Sequence, residues 1–542
     1  MCGVFGFVAA GPVANGEEVL QRGIDLQRHR GPDGEGKWLA ADGRVGLAHM
    51  RLSIIDLTEH GAQPMTDPAS GVVISYNGEI YNYLELRAEI GGEWTTTSDT
   101  EVILRAWLRW GPACVEKLRG MFAILVWDPR SRELFVARDR FGIKPLYWTC
   151  QGDRLYFASE VKALVPLMAE RRLARNALAE YFSFQFTISG ATLLDGVHEV
   201  PAAHRAVIAW MPDSVATPRF ERYWEVHYEP DPWRTEAYFV ERLRELMADS
   251  IDKHLRADVE VGAYVSGGVD SSLLAIMARR ARPTGPFQIF HGRFLYGPAY
   301  DESRYAHDVA DAHAMACHVQ DITEDDFVEH IGRVIYHLDG PVAGPGSFPQ
   351  FMVSKLAASK LKVVLGGQGG DEIFGGYARY LVAYFEQCIN GALEGTGHDG
   401  QFVVTYESII PNLVTLKQYK PLLREFWAEG LFGPRDERYF RLVNRANTLG
   451  AAISPDAVDF TTVLPAFKNI FWGDNVGPEA YFDLMTHFDF KTLLPALLQV
   501  EDRMSMAHGL ESRVPFHDQP VVEFAATIPP TIKFSGREQK RL

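Results

Sequence analysis

The sequence predicts a two-domain chain, α+β over its first two hundred residues and α/β with a parallel sheet from about residue 236 onward. Three observations carry this prediction. At 542 residues the chain is too long for a single hydrophobic core, and a prior of about 150 residues per domain gives roughly two to four. The hydrophobic pattern then changes its texture, from short strand-like runs to helices alternating with buried strands. Between the two textures, a stretch at 209–235 carrying MPDSVATP and EPDPW reads as a linker.

In the first part, VVISY at 72–76, FAILVWD at 122–128, ELFVARD at 133–139 and RLYFAS at 154–159 are β-branched or aromatic runs separated by turn residues. EVILRAWLRWG at 101–111 has helical spacing and stops at Gly111–Pro112. In the second part, VGAYVS at 261–266 and LKVVLGG at 361–367 read as short buried strands between amphipathic helices. That alternation implies a parallel sheet covered by helices.

Composition narrows the function. Apolar residues make up 47% and charged residues 23%, as in ordinary globular proteins. A formal charge of −16 without a basic run argues against nucleic-acid binding. No segment approaches the roughly 18 apolar residues of a membrane span, so a soluble protein without a membrane partner is expected. Cys2, Cys114, Cys150, Cys317 and Cys388 are odd in number and lack paired spacing, which points to neither a disulfide framework nor a zinc site. A reducing cytoplasm is the expected compartment.

The chain opens MCGVFGFVA, without the basic start and long apolar run of a signal peptide. If Met1 is removed, Cys2 carries both a thiol and an α-amine, whose reference pKa of about 8 lets it act as a base near neutrality. Nucleophile and base then share one residue. The alternative is a chance buried cysteine near the terminus.

Four further segments bear on that choice: RHRGPDGEG at 28–36, HMRLSIIDL at 49–57, YNGEIYN at 76–82 and TTSDTEVI at 96–103. In this order and spacing they resemble the signature segments of class II glutamine amidotransferase domains. The resemblance implies an N-terminal-nucleophile (Ntn) hydrolase sandwich, αββα, over residues 2–208, with Cys2 as nucleophile. It implies Asn77 and Gly78 as the oxyanion hole, through a side-chain amide and a backbone N–H. Arg51 would offer a planar fork to the α-carboxylate of glutamine, Glu79 and Asp99 would take its ammonium, and Ile54 would complete the pocket. Taken singly, Asn77–Gly78 also reads as a hairpin turn, Arg51 as half of a surface ion pair and Asp99 as a helix N-cap. His29 reads as structural.

In the second part, AYVSGGVDSSLLAIMA at 263–278 combines a buried strand, a Ser-Gly-Gly turn and a helix. Glycines let the backbone approach an anion, and the helix start offers N–H groups to a phosphate, helped by Ser271 and Ser272. The pattern is not a Walker-type loop. It resembles the pyrophosphate loop of ATP pyrophosphatases, and Asp270 suits a magnesium ligand beside it. The segment VVLGGQGGDEIFGGYARY at 363–380 resembles the facing loop of the glutamine-hydrolysing asparagine synthetase family, although GGDE and FGGY could also be turns. YDESRYAHDVA at 300–310 and EDRMSMAHGLESRVPFHD at 501–518 match the same family.

This second resemblance implies an ATP-pyrophosphatase domain over 236–542. Val265, Ser266, Gly267, Gly268, Asp270, Ser271, Ser272, His291, Gly366 and Gly367 would face ATP and pyrophosphate. Asp270 and Asp371 would hold Mg2+, and Gln368 and Glu372 would lie at the synthetase site. ATP would activate a carboxylate, by default that of aspartate, as an acyl-adenylate, and ammonia released at Cys2 would travel internally to displace AMP. A homodimer is expected from the same resemblance.

Two departures qualify it. Asparagine-forming members usually carry Glu where this chain has Gln368, and Gln takes up no proton at neutral pH, so either another residue supplies that function or the acceptor is another acid, such as a sugar uronate. The sequence also stops at Leu542 within TIKFSGREQKRL, where the family continues to a lysine thought to neutralise the adenylate. A partial chain is the expectation; the alternative is a regulatory or binding protein with a degenerate synthetase half, which Asp270 and Asp371 oppose. Met506, His508, Glu511 and Arg513 are expected near the acceptor pocket.

Overall fold

The computed structural model describes residues 2–211, 214–297, 300–382, 386, 433–446, 449, 453, 458–478, 480–535 and 538–539. Cys388 and part of the 531–542 segment lie outside them.

The first part contains strands β1 (Gly3–Ala9), β2 (Gly34–Leu39), β3 (Val45–Arg51), β4 (Met65–Thr66), β5 (Val73–Ile80), β6 (Gly120–Asp128) and β7 (Glu133–Arg138). It continues with β8 (Tyr147–Gln151), β9 (Arg154–Ala158), β10 (Val197–Glu199), β11 (His204–Met211), β12 (Ser214–Val215) and β13 (Glu221–Arg222). They form two antiparallel sheets, β10-β8-β9-β1-β3-β2 and β12-β11-β7-β6-β5-β4, with β13 on β11.

Side-chain alternation explains why the sheets stack. Val4 and Val8 of β1 join Leu125 and Val136 in the core between the sheets, while Phe5 and Phe7 join Leu20 and Ile24 of the helix Gly16–Gln27. Gly23 lets that helix settle, since a Cβ there would lie 2.4 Å from the Phe5 ring. On the opposite side, Ile74 and Tyr76 of β5 share a core with Val102, Ile103 and Trp107 of the helix Asp99–Trp110. Helices thus cover both outer faces, which is the αββα layering of an Ntn-type sandwich.

Two alternative readings and one expectation from the sequence do not hold. Asn77 and Gly78 make no hairpin turn; they lie inside β5, paired with Ala123 and Phe122 of β6. Gly78 allows the strand to pass, because its φ is +155° and a Cβ would sit 2.0 Å from the Met121 carbonyl oxygen. The N-cap of Asp99–Trp110 is Ser98, which accepts from Thr100 N at 3.0 Å, leaving the Asp99 carboxylate available elsewhere. The stretch 209–235 carries the end of β11 together with β12 and β13, both of which pair with β11. Ladder hydrogen bonds tie this stretch to the first domain despite its prolines.

The second part holds five parallel strands, β14 (Val261–Tyr264), β15 (Gln288–Phe294), β16 (Ala316–Ile322), β17 (Val363–Leu365) and β18 (Glu511–Arg513), in the order β16-β15-β14-β17-β18. Both faces are buried. Ala263 and Leu365 share a core with Leu274 and Ala278 of the helix Val269–Ala281, whereas Tyr264 and Val364 share one with Val353 and Ala357 of the helix Ser347–Ala358. Winding reverses between β14 and β17, and the crevice beyond the carboxyl ends at such a reversal is where open α/β sheets bind ligands. The two glycine-bearing loops leave from those two strands.

The domains share apolar contacts: Met121, Phe141 and Ile143 join Leu494, Val514 and Phe516, and Leu52, Ile54 and Ile55 pack with Val363. Among the described residues, no helix is long and apolar enough to cross a membrane.

Candidate active site

Cys2 stands just before β1, nearly enclosed at 8% exposure. Its backbone nitrogen donates to Asn77 Oδ1 at 2.9 Å, and its sulfur lies 3.9 Å from the Leu52 carbonyl oxygen. Burial pushes the thiol upward from its ordinary value, so a thiolate needs a neighbouring base or a charge that forms with it. Asn77 comes from the facing sheet. With Oδ1 occupied, its buried Nδ2 has no hydrogen-bond partner, a state that typically costs about 1–3 kcal/mol until an acceptor arrives.

Acidic groups close the other side. Asp99 accepts from the Tyr76 hydroxyl at 2.9 Å and from Ile80 N at 3.0 Å. Burial nevertheless pushes its carboxyl up to about 6. Glu79 is buried, its Oε2 has no partner, and its Oε1 is 3.5 Å from Arg513 Nη2. Burial and the neighbouring Glu511 push Glu79 well above the usual carboxylate range. Arg51 donates through Nη1 to Thr58 O at 2.6 Å and through Nη2 to Asp56 O. It meets no carboxylate among the described residues, so the surface ion-pair alternative does not hold. Ile54 is buried beneath, and its carbonyl accepts from Asp258 N of the second domain. These side chains together supply a thiol, an orphaned donor, two under-compensated acids and, among the described residues, a guanidinium without an acid. That set matches a small zwitterion carrying an amide.

At the second site, Ser266, Gly268 and Val269 are exposed at the mouth of the crevice. Ser266 N donates to Ser271 Oγ at 3.1 Å, so the Ser271 hydroxyl shapes the loop from inside. Gly367 is pressed against the same serine, where a Cβ would lie 3.1 Å from Ser271 N. Asp270 leans onto the second loop: a Cβ on Gly370 would be 2.4 Å from Asp270 Oδ2. The Asp270 carboxylate thus lies against the residue that precedes Asp371, a hundred positions away in sequence. Among the described residues no group of three or more His, Cys, Asp or Glu is arranged to hold a metal ion, so a divalent ion here would need phosphate oxygens to complete its shell. His291 uses Nδ1 on Val265 O at 2.8 Å, leaving a buried Nε2 without a partner beside the loop. Glu372 binds the Tyr377 hydroxyl, and burial pushes it up to about 7.

An ionic knot joins the two sites. Arg30, fully buried, donates through Nε to Cys2 O at 3.1 Å, through Nη1 to Glu160 at 3.0 Å and Asp502 at 2.8 Å, and through Nη2 to Asp502 at 3.1 Å. Lys144 stands 3.4 Å from Asp502, and Arg503 reaches Glu160 at 2.9 Å and Asp339 at 3.1 Å. His29 supports the knot at 3.0 Å from Glu160, a structural position. Arg30, Glu501 and Asp502 lie within the segments that carry the family resemblance, but the motifs alone give them no role. The available signal was Glu-Asp-Arg within the largely apolar helix Leu493–Met506, where all three are buried.

The four residues expected near an acceptor pocket are all buried or half-buried. Arg513 and Glu511 face the glutamine side, where they pair with each other at 2.5 Å beside Glu79, because β18 forms the sheet edge against the first domain. Met506 is core, and His508 packs on the Phe351 ring at 4.3 Å.

Comparison with known proteins agrees with this geometry. Residues 1–224 match the glutamine amidotransferase domain model, and residues 242–542 match asparagine synthase. The chain belongs to the asparagine synthase family. Asparagine synthetase (glutamine-hydrolyzing) 1 of Bacillus subtilis is 31% identical over 560 residues, covering 100% of this chain and 83% of that protein. Asparagine synthetase (glutamine-hydrolyzing) 3 of the same organism is 28% identical, with 100% and 83% covered. Amidase chry2 of Gibberella zeae is 28% identical, with 98% and 83% covered. As a member of the asparagine synthase family with an amidotransferase domain in front, the chain is an ATP-dependent ligase that uses glutamine as its nitrogen source.

Proposed function

We propose that Cys2, once the leading methionine is removed, attacks the side-chain amide of glutamine, and that the released ammonia amidates an acyl-adenylate formed in the second domain. The observation that carries this reading is Asn77 Nδ2, a buried donor with no partner beside the Cys2 backbone. It suits the oxyanion of a tetrahedral intermediate, with Gly78 N–H as second donor. Arg51 would hold the α-carboxylate, Asp99 and Glu79 the ammonium, and Ile54 the pocket wall. Ammonia would leave a glutamyl thioester, which water then hydrolyses.

In the second domain, the acceptor carboxylate attacks the α-phosphate of ATP and pyrophosphate departs. Ammonia then attacks the acyl carbon, AMP leaves and a proton is lost. The loop from Val265 to Ser272, together with His291, Gly366 and Gly367, would cradle the nucleotide. Mg2+ held by Asp270 and Asp371 would neutralise pyrophosphate charge. We assign residues 2–208 and 236–542 to the two functions. Aspartate is the default acceptor, and the protein would act as a cytoplasmic homodimer without a nucleic-acid or membrane partner. A second reading replaces aspartate with another carboxylic acid, because Gln368 supplies no ionisable group to the site.

Pyrophosphate release from ATP tests both readings, with glutamine and a panel of acids, together with mass spectrometry of the amide. Asparagine formation from aspartate supports the default, whereas release with another acid alone selects the second reading. Cys2→Ala is expected to abolish glutamine-dependent turnover while ammonium chloride still supports amide formation. Glutaminase activity that survives Cys2→Ala would refute the nucleophile assignment.

A further inference from the structure

Among the buried acids of the domain interface, Glu501 stands apart. Its neighbour Asp502 is held by Arg30 and Lys144, yet among the described residues no arginine or lysine pairs with Glu501. Its exposure is 4%, and among the described residues its carboxylate has two hydrogen-bond partners: Ser512 Oγ, donating to Oε1 at 2.5 Å, and Gln368 Nε2, donating to Oε2 at 3.5 Å. An ionised carboxylate buried without a cation is costly, and one lying in a site is a candidate for chemistry.

Its placement is specific. A Cβ on Gly366 would lie 2.7 Å from Glu501 Oε1, so the carboxylate occupies the space that this glycine leaves at the end of β17. The following residue, Gly367, abuts Ser271 of the nucleotide loop. Two successive glycines therefore separate Glu501 from the proposed phosphate cradle. On its other side, Asp502 and Arg30 lead to the Cys2 carbonyl, the direction from which ammonia would arrive.

We propose that Glu501 is the proton acceptor for the ammonia that attacks the acyl-adenylate. This rests on the reading given under Proposed function. The nitrogen lone pair forms the C–N bond, the acyl–phosphate bond breaks to release AMP, and one N–H proton passes to the Glu501 carboxylate. Gln368, unable to take that proton, donates its amide N–H to Glu501 and holds the carboxylate in place. Burial pushes the Glu501 carboxyl upward, as a base receiving a proton near neutrality requires. The groups facing it are Ser512, Gln368, Lys144, Asp502 and the Tyr264 hydroxyl.

The test uses the full chain, ATP, ammonium chloride and the acid identified by the panel. Three activities are read: amide formation, ATP–pyrophosphate exchange and glutaminase. Glu501→Gln is expected to slow amide formation by about 10²–10⁴-fold while exchange and glutaminase persist. Undiminished amide formation overturns the inference, and so does a parallel loss of all three activities, which would mark a structural role. Should E501Q fail to fold, Ser512→Ala decides. Removing the hydroxyl that stabilises the anion should move the acidic limb of amide formation to higher pH, and an unmoved limb overturns the inference. A wild type that makes no amide from any acid removes the underlying reading; an active wild type with an equally active E501Q removes only this inference.

Discussion

Two groups of buried carboxylates lie on either side of Arg30, and the protein treats them in opposite ways. In the interdomain knot, burial pushes Asp502 and Glu160 up. Arg30 and Lys144 around Asp502, and His29, Lys162 and Arg503 around Glu160, outweigh it and hold both acids below the usual range. In the glutamine pocket, burial dominates and the carboxyls of Asp99 and Glu79 are raised. Charge compensated within the chain belongs to the architecture; charge left under-compensated waits for a ligand's charge. Helix Leu493–Met506 shows both treatments in adjacent residues, Asp502 paired and Glu501 not.

The largest effect should come from breaking the knot. Arg30→Met leaves Asp502 with Lys144, at 3.4 Å, as its remaining ion-pair partner among the described residues, and removing one partner from a buried pair costs about 3–5 kcal/mol. Urea denaturation should show this loss, and Asp502→Leu added to Arg30→Met should recover much of it by removing the stranded charge. The pH dependence has a defined sign. Both knot acids are depressed in the folded state, so their contribution is present above the unfolded carboxyl values of about 4 and is lost as pH falls below them. Buried His49, His254 and His517, pushed down to about 3, 4 and 3, lower the midpoint of every variant as pH falls below about 6.5. The pairing is therefore read from the difference between wild type and Arg30→Met, which should hold down to about pH 5 and shrink below about 4; a difference that already shrinks between pH 7 and 6 would contradict it.

On the other side of Arg30, truncating the orphaned donor should affect rate and leave stability nearly intact. Asn77→Ala is expected to lower glutaminase kcat by about 10²–10³-fold, with a small change in KM, because the amide acts on charge that develops only in the transition state. A comparable loss in KM would make Asn77 a ground-state binding residue.

Much of this division was legible in the sequence. The Ser-Gly-Gly turn after VGAYV and the GGQGGDE loop mark the two strand ends at which the nucleotide crevice opens, since only short side chains permit such close approach. The strand β5 was foreseen only to Tyr76, because Asn-Gly is a strong turn signal; nothing local reveals that Gly78 is needed to pass the Met121 carbonyl. The stretch 209–235 looked like a linker because proline content does not report ladder pairing across to β11. The knot was out of reach for a related reason. Arg30 and Asp502 are separated by 472 residues, and a charged side chain in a motif reads the same whether it faces water or a partner from another domain.

The smallest predicted effect is the most direct test of the contrast. Asp99, with a carboxyl pushed up to about 6, gives the opposite sign to the knot. Its folded-state value is raised, so its contribution to stability is full below its unfolded value of about 4 and is lost as pH rises through about 6. Glutamine binding should run the other way, because the ammonium needs the ionised form. Titrating around 6, about a tenth of the molecules carry that form at pH 5 and about nine-tenths at pH 7, so apparent affinity should weaken by about tenfold between pH 7 and pH 5. Isothermal titration on Cys2→Ala, which binds without turnover, reads this directly. Asp99→Asn should bind more weakly and lose this component of the pH dependence. An affinity flat across that range in the Asp99 protein would mean that the ammonium is held by Glu79 or by dipoles, and that the raised carboxyl is a cost of burial with no ligand to answer it.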